Sequence, residues 1–511
     1  MAVLKTFAVP GRDRPFWADL HNHNGIGYGK GSLDRSYEIA RGGLLDVFAF
    51  TPHGLWHDLP GNDPYMVEFH RSGFEKVLAA WEEVRARANA ENTDGRFTTF
   101  VGFEWHSSAY GDSHVLYPAG EGRVHPATNL EDLQDFARRH GALVIPHHVG
   151  YRQGWRGALW PGLSPDVSPV VEVFSEHGNS LEAESHWAML RHSTGGSERS
   201  QAALARLEAG AVFGLVASTD NHAGHPASHG EGLTGIWLPE TEQSTRTGVF
   251  AALKRRHTYA LSGDRIVLRV GLAGGMMGDV LPVDTPREVR YEVEGAGALD
   301  YVQILKNGRA VHMAFPGDGV AGDLDEPYVA RLEFGWDAMT SSAVTEWQIR
   351  IAVSGGDLVD LLPCFVGGAG SAEAVNRVEE VSPSGAAVSA FTSRRNPHPT
   401  SSVVLKLAGD RATRVEVGAV ARRSDQHGTS PGGCSLAASL GELLARDSWA
   451  AISDTFSAPK MRLGNVHTRN QCMLTGGWCD PQPGRRDSYL VKVQQKNGHC
   501  AWSSPIWCRE S

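Results

Sequence analysis

The chain has 511 residues, more than one hydrophobic core supports, since cores stop growing at roughly 250–300 residues; two or three domains are expected. With 48 Lys and Arg against 58 Asp and Glu the net charge is −10, which excludes a global basic field for holding a nucleic acid or an anionic membrane. Hydrophobic content of 41% with 21% charged residues is that of a globular protein, and no apolar run approaches the roughly 18 residues of a spanning helix. The start, Met1–Trp17, has one lysine and a short apolar patch broken by Pro10 and Arg12, too short for the core of a signal peptide, so a cytoplasmic location is expected.

In chain order, seven short β-rich runs end in polar residues. They are Phe16–Leu20 before HNH, Asp46–Thr51 before Pro-His, Phe97–Phe103 before Glu-Trp-His, His114–Tyr117, Ala142–Pro146 before His-His, Val170–Phe174 before SEHG, and Val212–Ser218 before TDNH. Stretches with helical spacing lie between several of them: Leu33–Arg41, Phe74–Ala90, Leu130–Arg139 and Gln201–Ala209, with a last one at Val249–Arg256. Alternation of strand and helix predicts an α/β fold with a parallel sheet, most simply a (β/α) barrel.

Histidine is the informative residue type, because 18 of the 23 fall between His21 and His257. A metal or acid–base site concentrates imidazoles, whereas scattered surface use spreads them evenly. In a barrel the strand ends converge on one mouth, which would bring His21, His23, His53, Glu104, His147, His148 and His222 within mutual reach, with Asp220 beside them. The bland reading, that each caps a turn or sits in a solvated loop, accounts for one or two of these and not for seven. In His21-Asn22-His23 an extended backbone puts both imidazoles on one face while Asn22 points away. Asp220-Asn221-His222 supplies a carboxylate and an imidazole by the same geometry. Glu104 is suited to bridge two cations, and a His/carboxylate set without thiolate favours Zn, Mn or Fe. Water between such ions becomes hydroxide near neutral pH.

These motifs together resemble the PHP (polymerase and histidinol phosphatase) superfamily: ADLHNH, FTPHG, VGFEW, DSHVLYP, VIPHHVG and ASTDNH occur in the family's order over roughly half the chain. The resemblance implies a distorted seven-stranded (β/α) PHP barrel with two or three divalent metal ions. It implies one ion held by His21, His23, Glu104 and Asp220, a second by Glu104, His114 and His147, and a third by His53 and His222. Two departures stand out. The family's further histidine after HxH is missing from NGIGYGKGS, which puts the third ion in doubt, and the Asp preceding the second-motif His is Pro52 here.

Either His147 or His148 suits the ligand register. His147 is favoured because ALVIP leads directly to it, leaving His148 toward substrate. Glu172 and His177 stand where family members often place further polar residues, which implies that Glu172 orients a ligand imidazole and that His177 contacts substrate or acts as the acid. The competing reading has Glu172 pairing with an arginine and His177 capping a turn. Arg152 and Arg156 in YRQGWRG would neutralise a substrate anion such as phosphate, against the commoner role of surface arginines. His106 and His225 lie next to proposed ligands without a motif position, and His57, His70, His125, His140, His186, His192 and His229 are read as solvated or loop residues.

From Arg265 the texture changes to alternating apolar residues (RIVLRVGL, REVRYEVEG, YVQILKNG, YVARLEFGW, EWQIRIAVS), which predicts an all-β sandwich-like region. Asn307-Gly308 signals a hairpin. The seam falls near Thr258–Asp264, giving a metal-binding catalytic domain over 1–262 and a β-rich region over 263–511, with two sub-parts split near 367–400 at the Gly/Ala/Ser-rich interval Gly367–Ala374. SVVLKLAG, RVEVGAVA, SYLVKVQQ and the final AWSSPIW again read as strands, a layout similar to that of bacterial PHP-like proteins. Cys364, Cys434, Cys472, Cys479, Cys500 and Cys508 have no CxxC spacing and are read as buried thiols, or as one or two disulfides if the protein is exported.

The expectation is a metal-dependent hydrolase of a small, anionic molecule, in the first place a phosphoesterase acting through a metal-bridging hydroxide. The same hydroxide attacks amides, esters and lactones, which makes C–N or C–O hydrolysis the runner-up. A non-catalytic, metal-stabilised ligand-binding protein is the reading from another class. Neither the oligomeric state nor the substrate is legible.

Overall fold

The computed structural model describes residues 14–190, 196–239, 244–317, 327–337, 342–368, 370, 373–455 and 457–510. Most of the N-terminal stretch examined for a signal peptide, parts of Gly367–Ala374, and His192 lie outside the described residues.

The first half is built from β1 (Phe16–Asp19), α1 (Leu33–Gly42), β2 (Val47–Phe50), β3 (His53–Trp56), α2 (Pro64–Glu91), β4 (Thr98–His106), β5 (Ser113–Leu116), α3 (Leu130–His140) and β6 (Leu143–Pro146). It continues through β7 (Val170–Ser175), β8 (Gly178–Asn179), α4 (Ala203–Glu208), β9 (Gly214–Ala217), β10 (Leu233–Ile236), α5 (Arg246–Arg255) and β11 (Thr258–Leu261). Local chemistry sets the helix bounds. Ser32, Asp63, Asn129 and Thr245 accept from backbone N–H groups of the first turns of α1, α2, α3 and α5, and Pro64 occupies the first turn of α2, where its missing N–H has no role. The strands β1, β2, β4, β5, β6, β7 and β9 are buried along their whole length, as apolar runs covered on both faces should be.

The distorted seven-stranded (β/α) barrel expected of the first half does not form. Strands dominate, with twenty-nine of them against seven helices among the described residues. The strands do not close on themselves: β11-β10-β1-β2-β4-β5-β6 is one stretch of a fourteen-stranded sheet, whereas β8-β7-β9 is a separate three-stranded sheet. Only some neighbours are parallel. β1 pairs β2, β2 pairs β4, β3 pairs β4 and β7 pairs β9 in parallel, while β1·β10, β10·β11, β4·β5 and β5·β6 are antiparallel. The reason lies in the connections. A parallel return needs a crossover of a dozen or more residues, and the loop between β4 and β5 covers only Ser107–Asp112, so β5 comes back against β4.

The fourteen-stranded sheet also takes strands from the chain's end. Cys500–Ser503 pairs β11, Arg486–Gln495 pairs Cys500–Ser503 and Ile506–Arg509, and Val280–Pro282 completes that edge. One core accordingly mixes both halves, with Trp17, Tyr37, Phe48 and Phe103 in the same cluster as Tyr489, Val491 and Ile506. AWSSPIW is two strands, broken at Ser504-Pro505.

Beyond 263 the described chain is strands apart from two four-residue helices, Leu440–Leu443 and Arg469–Cys472. An eight-stranded sheet centres on the long strands Val344–Cys364 and Thr400–Asp425, and it also holds Arg377–Ser382 and Gly385–Ser393 from the 367–400 interval. It has its own core around Trp347, Phe334 and Tyr328. Asn307-Gly308 joins Leu299–Lys306 to Arg309–Ala314 with φ of 49° and 78°, the left-handed pair that a two-residue hairpin requires. The six cysteines are unpaired, four of them buried. No helix among the described residues is long and apolar enough to cross a membrane.

Candidate metal centre

The C-terminal ends of the parallel strands meet at one edge, and three local devices bring their polar residues together. Asn22 and Asn221 form a parallel bridge, with Asp220 N–H donating to the His21 carbonyl and His23 N–H to the Asn221 carbonyl, so the segments following β1 and β9 run side by side. β3 pairs β4 with His53 opposite Glu104, and β5 pairs β4 with His114 opposite the same Glu104. Asp220, with φ of 54°, and His148, with φ of 33°, sit in the left-handed region that non-glycine residues rarely adopt. Such backbone persists where the surroundings hold it, and it turns both side chains into the cluster.

Glu104 is the centre of the arrangement. Its Oε2 lies 3.3 Å from His23 Nε2, 3.4 Å from His106 Nε2, 3.5 Å from His53 Nε2 and 3.8 Å from His21 Nε2, and its Oε1 lies 2.9 Å from His147 Nε2. Asp220 Oδ1 is 2.9 Å from His23 Nε2 and 3.6 Å from His21 Nε2. His53 Nε2 and His222 Nε2 are 3.1 Å apart. Ligand atoms of His21, His114 and His147 lie within 4.8 Å of one another, as do those of His23, His53 and His222, of His21, His23 and Asp220, and of His53, Glu104 and His106.

The donor set fits divalent cations on an observation independent of any motif. Both ring nitrogens of His114, Nδ1 of His147, of His23 and of His53, and Oε2 of Glu104 are buried and have no hydrogen-bond partner among the described residues. Buried polar atoms are ordinarily satisfied, and lone pairs aimed at one another in this number are ones that a shared cation would satisfy. Charge states agree for part of the set and not for His21, where burial is outweighed by Asp220 and Glu172, which raise it well above the ordinary histidine value. Burial and neighbouring imidazoles push His53, His114 and His148 well below the ordinary histidine value and His23 to about 3, leaving lone pairs for coordination. Burial alone would raise Glu104, yet His106 and His147 beside it hold it well below the usual carboxylate range. Burial opposes His222, but Glu176 raises it to about 9.

A second ring of contacts orients these side chains. Glu172 faces His21 Nδ1 at 3.4 Å, burial pushes it up to about 7, and it lies beneath the site instead of against an arginine. Glu176 is 2.8 Å from His222 Nδ1. The buried carboxylate of Asp112 lies 3.0 Å from His106 Nδ1 and 3.3 Å from His148 Nε2, and accepts from Arg156 Nε at 2.7 Å. Tyr28, in the NGIGYGKGS segment that lacks the family histidine, stacks on His53 with ring centres 3.6 Å apart.

A cavity of about 780 Å³ opens onto this cluster, and His53, Glu104, His106, His177, Asp220 and His222 form its polar wall. His177 presents Nε2 at 3.3 Å from Asp220 Oδ2, with Tyr151 Oη 2.8 Å from Nδ1. His21, His23, His114, His147 and His148 sit deeper and do not line the cavity. Arg156 lines it but is tied to Asp112, and the exposed Arg152 pairs with Glu198 at 3.3 Å outside the lining. The His225 ring faces Asn376, while its backbone N–H donates to the Asn221 side chain. Sequence reasoning missed Glu176, Asp112, Tyr28 and Tyr151. Glu176 carried a signal, standing next to His177 in SEHG, and the other three are recruited from loops.

A family model described as a protein of unknown function (DUF3604) matches residues 225–279. An uncharacterized protein of Chlamydia pneumoniae is 23% identical over 270 residues, 48% of this chain, and the chain spans 42% of the length of that curated relative. Among solved structures, AggA, the major subunit of aggregative adherence fimbriae type I from Escherichia coli, is similar at 8% identity over 34% of this chain and 92% of that one, with a TM-score of 0.09.

Proposed function

We propose that the protein is a metal-dependent hydrolase of a small molecule. The observation that carries this reading is Glu104, a buried carboxylate with five imidazole nitrogens within 3.8 Å. His21, His23, Glu104 and Asp220 would hold one divalent ion and Glu104, His114 and His147 a second. His53 and His222 would hold a third, with Zn, Mn or Fe suited to the ligand set. Bound ions would supply Lewis-acid polarisation of the scissile group and a lowered pKa for water.

The chain's own residues supply the rest. His177 stands on the cavity wall beside Asp220, its far nitrogen fixed by Tyr151, where it can hold a proton for a leaving group. Glu172, Glu176 and Asp112 fix the ring orientations of His21, His222 and His106.

Phosphoester cleavage is the first choice because the motif order resembles that of the PHP superfamily. Hydrolysis of a C–N or C–O bond is favoured by a different observation: Arg156, the arginine in the cavity wall among the described residues, is committed to Asp112. Assay of the metal-supplemented protein on phosphomonoesters, phosphodiesters, amides and lactones tests both readings. The expected result is chelator-sensitive turnover of at least one class, reduced about 10²–10⁴-fold in His177→Ala. Metal-loaded protein inert toward all four classes would contradict it.

A further inference from the structure

The same cavity also has an apolar lining: Trp56, Leu59, Met66, Trp155 and Leu190 contribute to it. Three of these are unusually open for their type, with Met66 39%, Trp155 49% and Leu190 53% exposed. Single exposed apolar residues are ordinary, but several converging on the mouth of one polar cluster mark a binding surface. Tyr65 and Phe69, 74% and 40% exposed on the first turns of α2, extend the patch beside Met66. Trp56 is already engaged, with the Arg156 guanidinium 5.2 Å from its ring centre.

The charge around the cavity discriminates further. Its lining carries the carboxylates of Asp63, Glu104, Glu176 and Asp220, and Arg156, tied to Asp112, is its arginine. Asp63 spends its carboxylate on the N–H groups of Tyr65 and Met66 at the start of α2. Beyond any ions held at Glu104, Asp220 and His222, a ligand with several phosphates would find only Arg156, already tied to Asp112, as an arginine in the lining, whereas a ligand with one polar head and an apolar body matches both parts of the lining.

We propose that the substrate carries an aromatic or bulky apolar group that seats against Trp155, Met66 and Leu190 while its scissile bond lies at Glu104, Asp220 and His222. This substrate class rests on the hydrolase reading above. Calorimetric titration of the metal-supplemented protein with benzylphosphonate and methylphosphonate, neither of them hydrolysable, tests it separately from catalysis. Benzylphosphonate should bind about tenfold or more tightly than methylphosphonate, a difference of about 1.4 kcal/mol. The preference should fall to within about threefold in Trp155→Ala and Leu190→Ala and return in Trp155→Phe. Equal affinities, a preference that survives both alanine variants, or no binding of either compound would overturn the proposal. Selective benzylphosphonate binding by a protein that turns over none of the four substrate classes would instead remove the hydrolase reading and leave the apolar wall standing.

Discussion

At the scale of single residues the two arginines after β6 have opposite fates, and the difference is measurable. Arg156 is buried against Asp112, so Arg156→Ala leaves a carboxylate uncompensated in the interior and should lower unfolding free energy by about 3–5 kcal/mol, read from denaturant midpoints. Arg152→Ala, on the surface beside Glu198, should leave both stability and KM within about twofold for anionic and neutral substrates alike. A tenfold rise in KM for phosphoesters alone in Arg152→Ala would restore that side chain to the anion-clamp role its sequence position suggested. HNH was legible because a period of two on extended chain dictates which side chains share a face; TDNH was legible by its residue types alone, since Asp220 takes a left-handed φ of 54° where the extended reading required otherwise. Asp112, Tyr28 and Tyr151 were not, because each reaches the cluster through a loop whose path no local pattern encodes.

At the scale of elements, the loop after β11 carries Asp264, a buried carboxylate that binds groups from three parts of the chain. It lies 2.8 Å from His229 Nε2, accepts from Arg331 at 2.8 and 2.9 Å, and accepts from Gln495 and Asn497 at 2.7 Å. Burial alone would raise Asp264, but Arg331 and His499 hold it well below its ordinary value; burial alone would lower His229, but Cys364 and Asp264 raise it to about 9. The raised histidine stabilises the fold fully below about pH 6.5, and that contribution is lost as pH rises through about 9. The depressed carboxylate contributes above about pH 3.8 and is lost on acidification. Asp264→Asn should therefore cost about 3 kcal/mol or more near pH 6. The difference from wild type should shrink between pH 6.5 and 9, as thermal unfolding across that range will show; a difference independent of pH there would mean that His229 is not charged by its partner. Strands ending in His and Asp were legible as apolar runs. β3 was not, since His53–Trp56 becomes a strand only by pairing β4, and the reversed sense of β5 depended on the shortness of the loop Ser107–Asp112.

At the scale of the whole molecule, the sheet that presents the cluster is completed from the far end of the chain. Pairing between Tyr259 and Ser503 joins residues whose separation leaves no periodicity to read, which is why alternating strands and helices suggested a self-contained barrel. A chain truncated after Ser262 loses the strands covering β11 and the share of the common core contributed by Tyr489, Val491 and Ile506. It should lack a cooperative thermal transition, and a sharp transition in the truncated chain would show that the first half folds alone. The central claim remains the metal centre. Elemental analysis of protein purified without chelator and supplemented with Zn, Mn or Fe tests it most directly, with Glu104→Gln alongside, a change that keeps the side chain's size and removes the charge amid the five imidazoles. The account predicts at least two ions per chain in the wild type and a loss in Glu104→Gln larger than in His53→Ala; less than one ion per wild-type chain would contradict it.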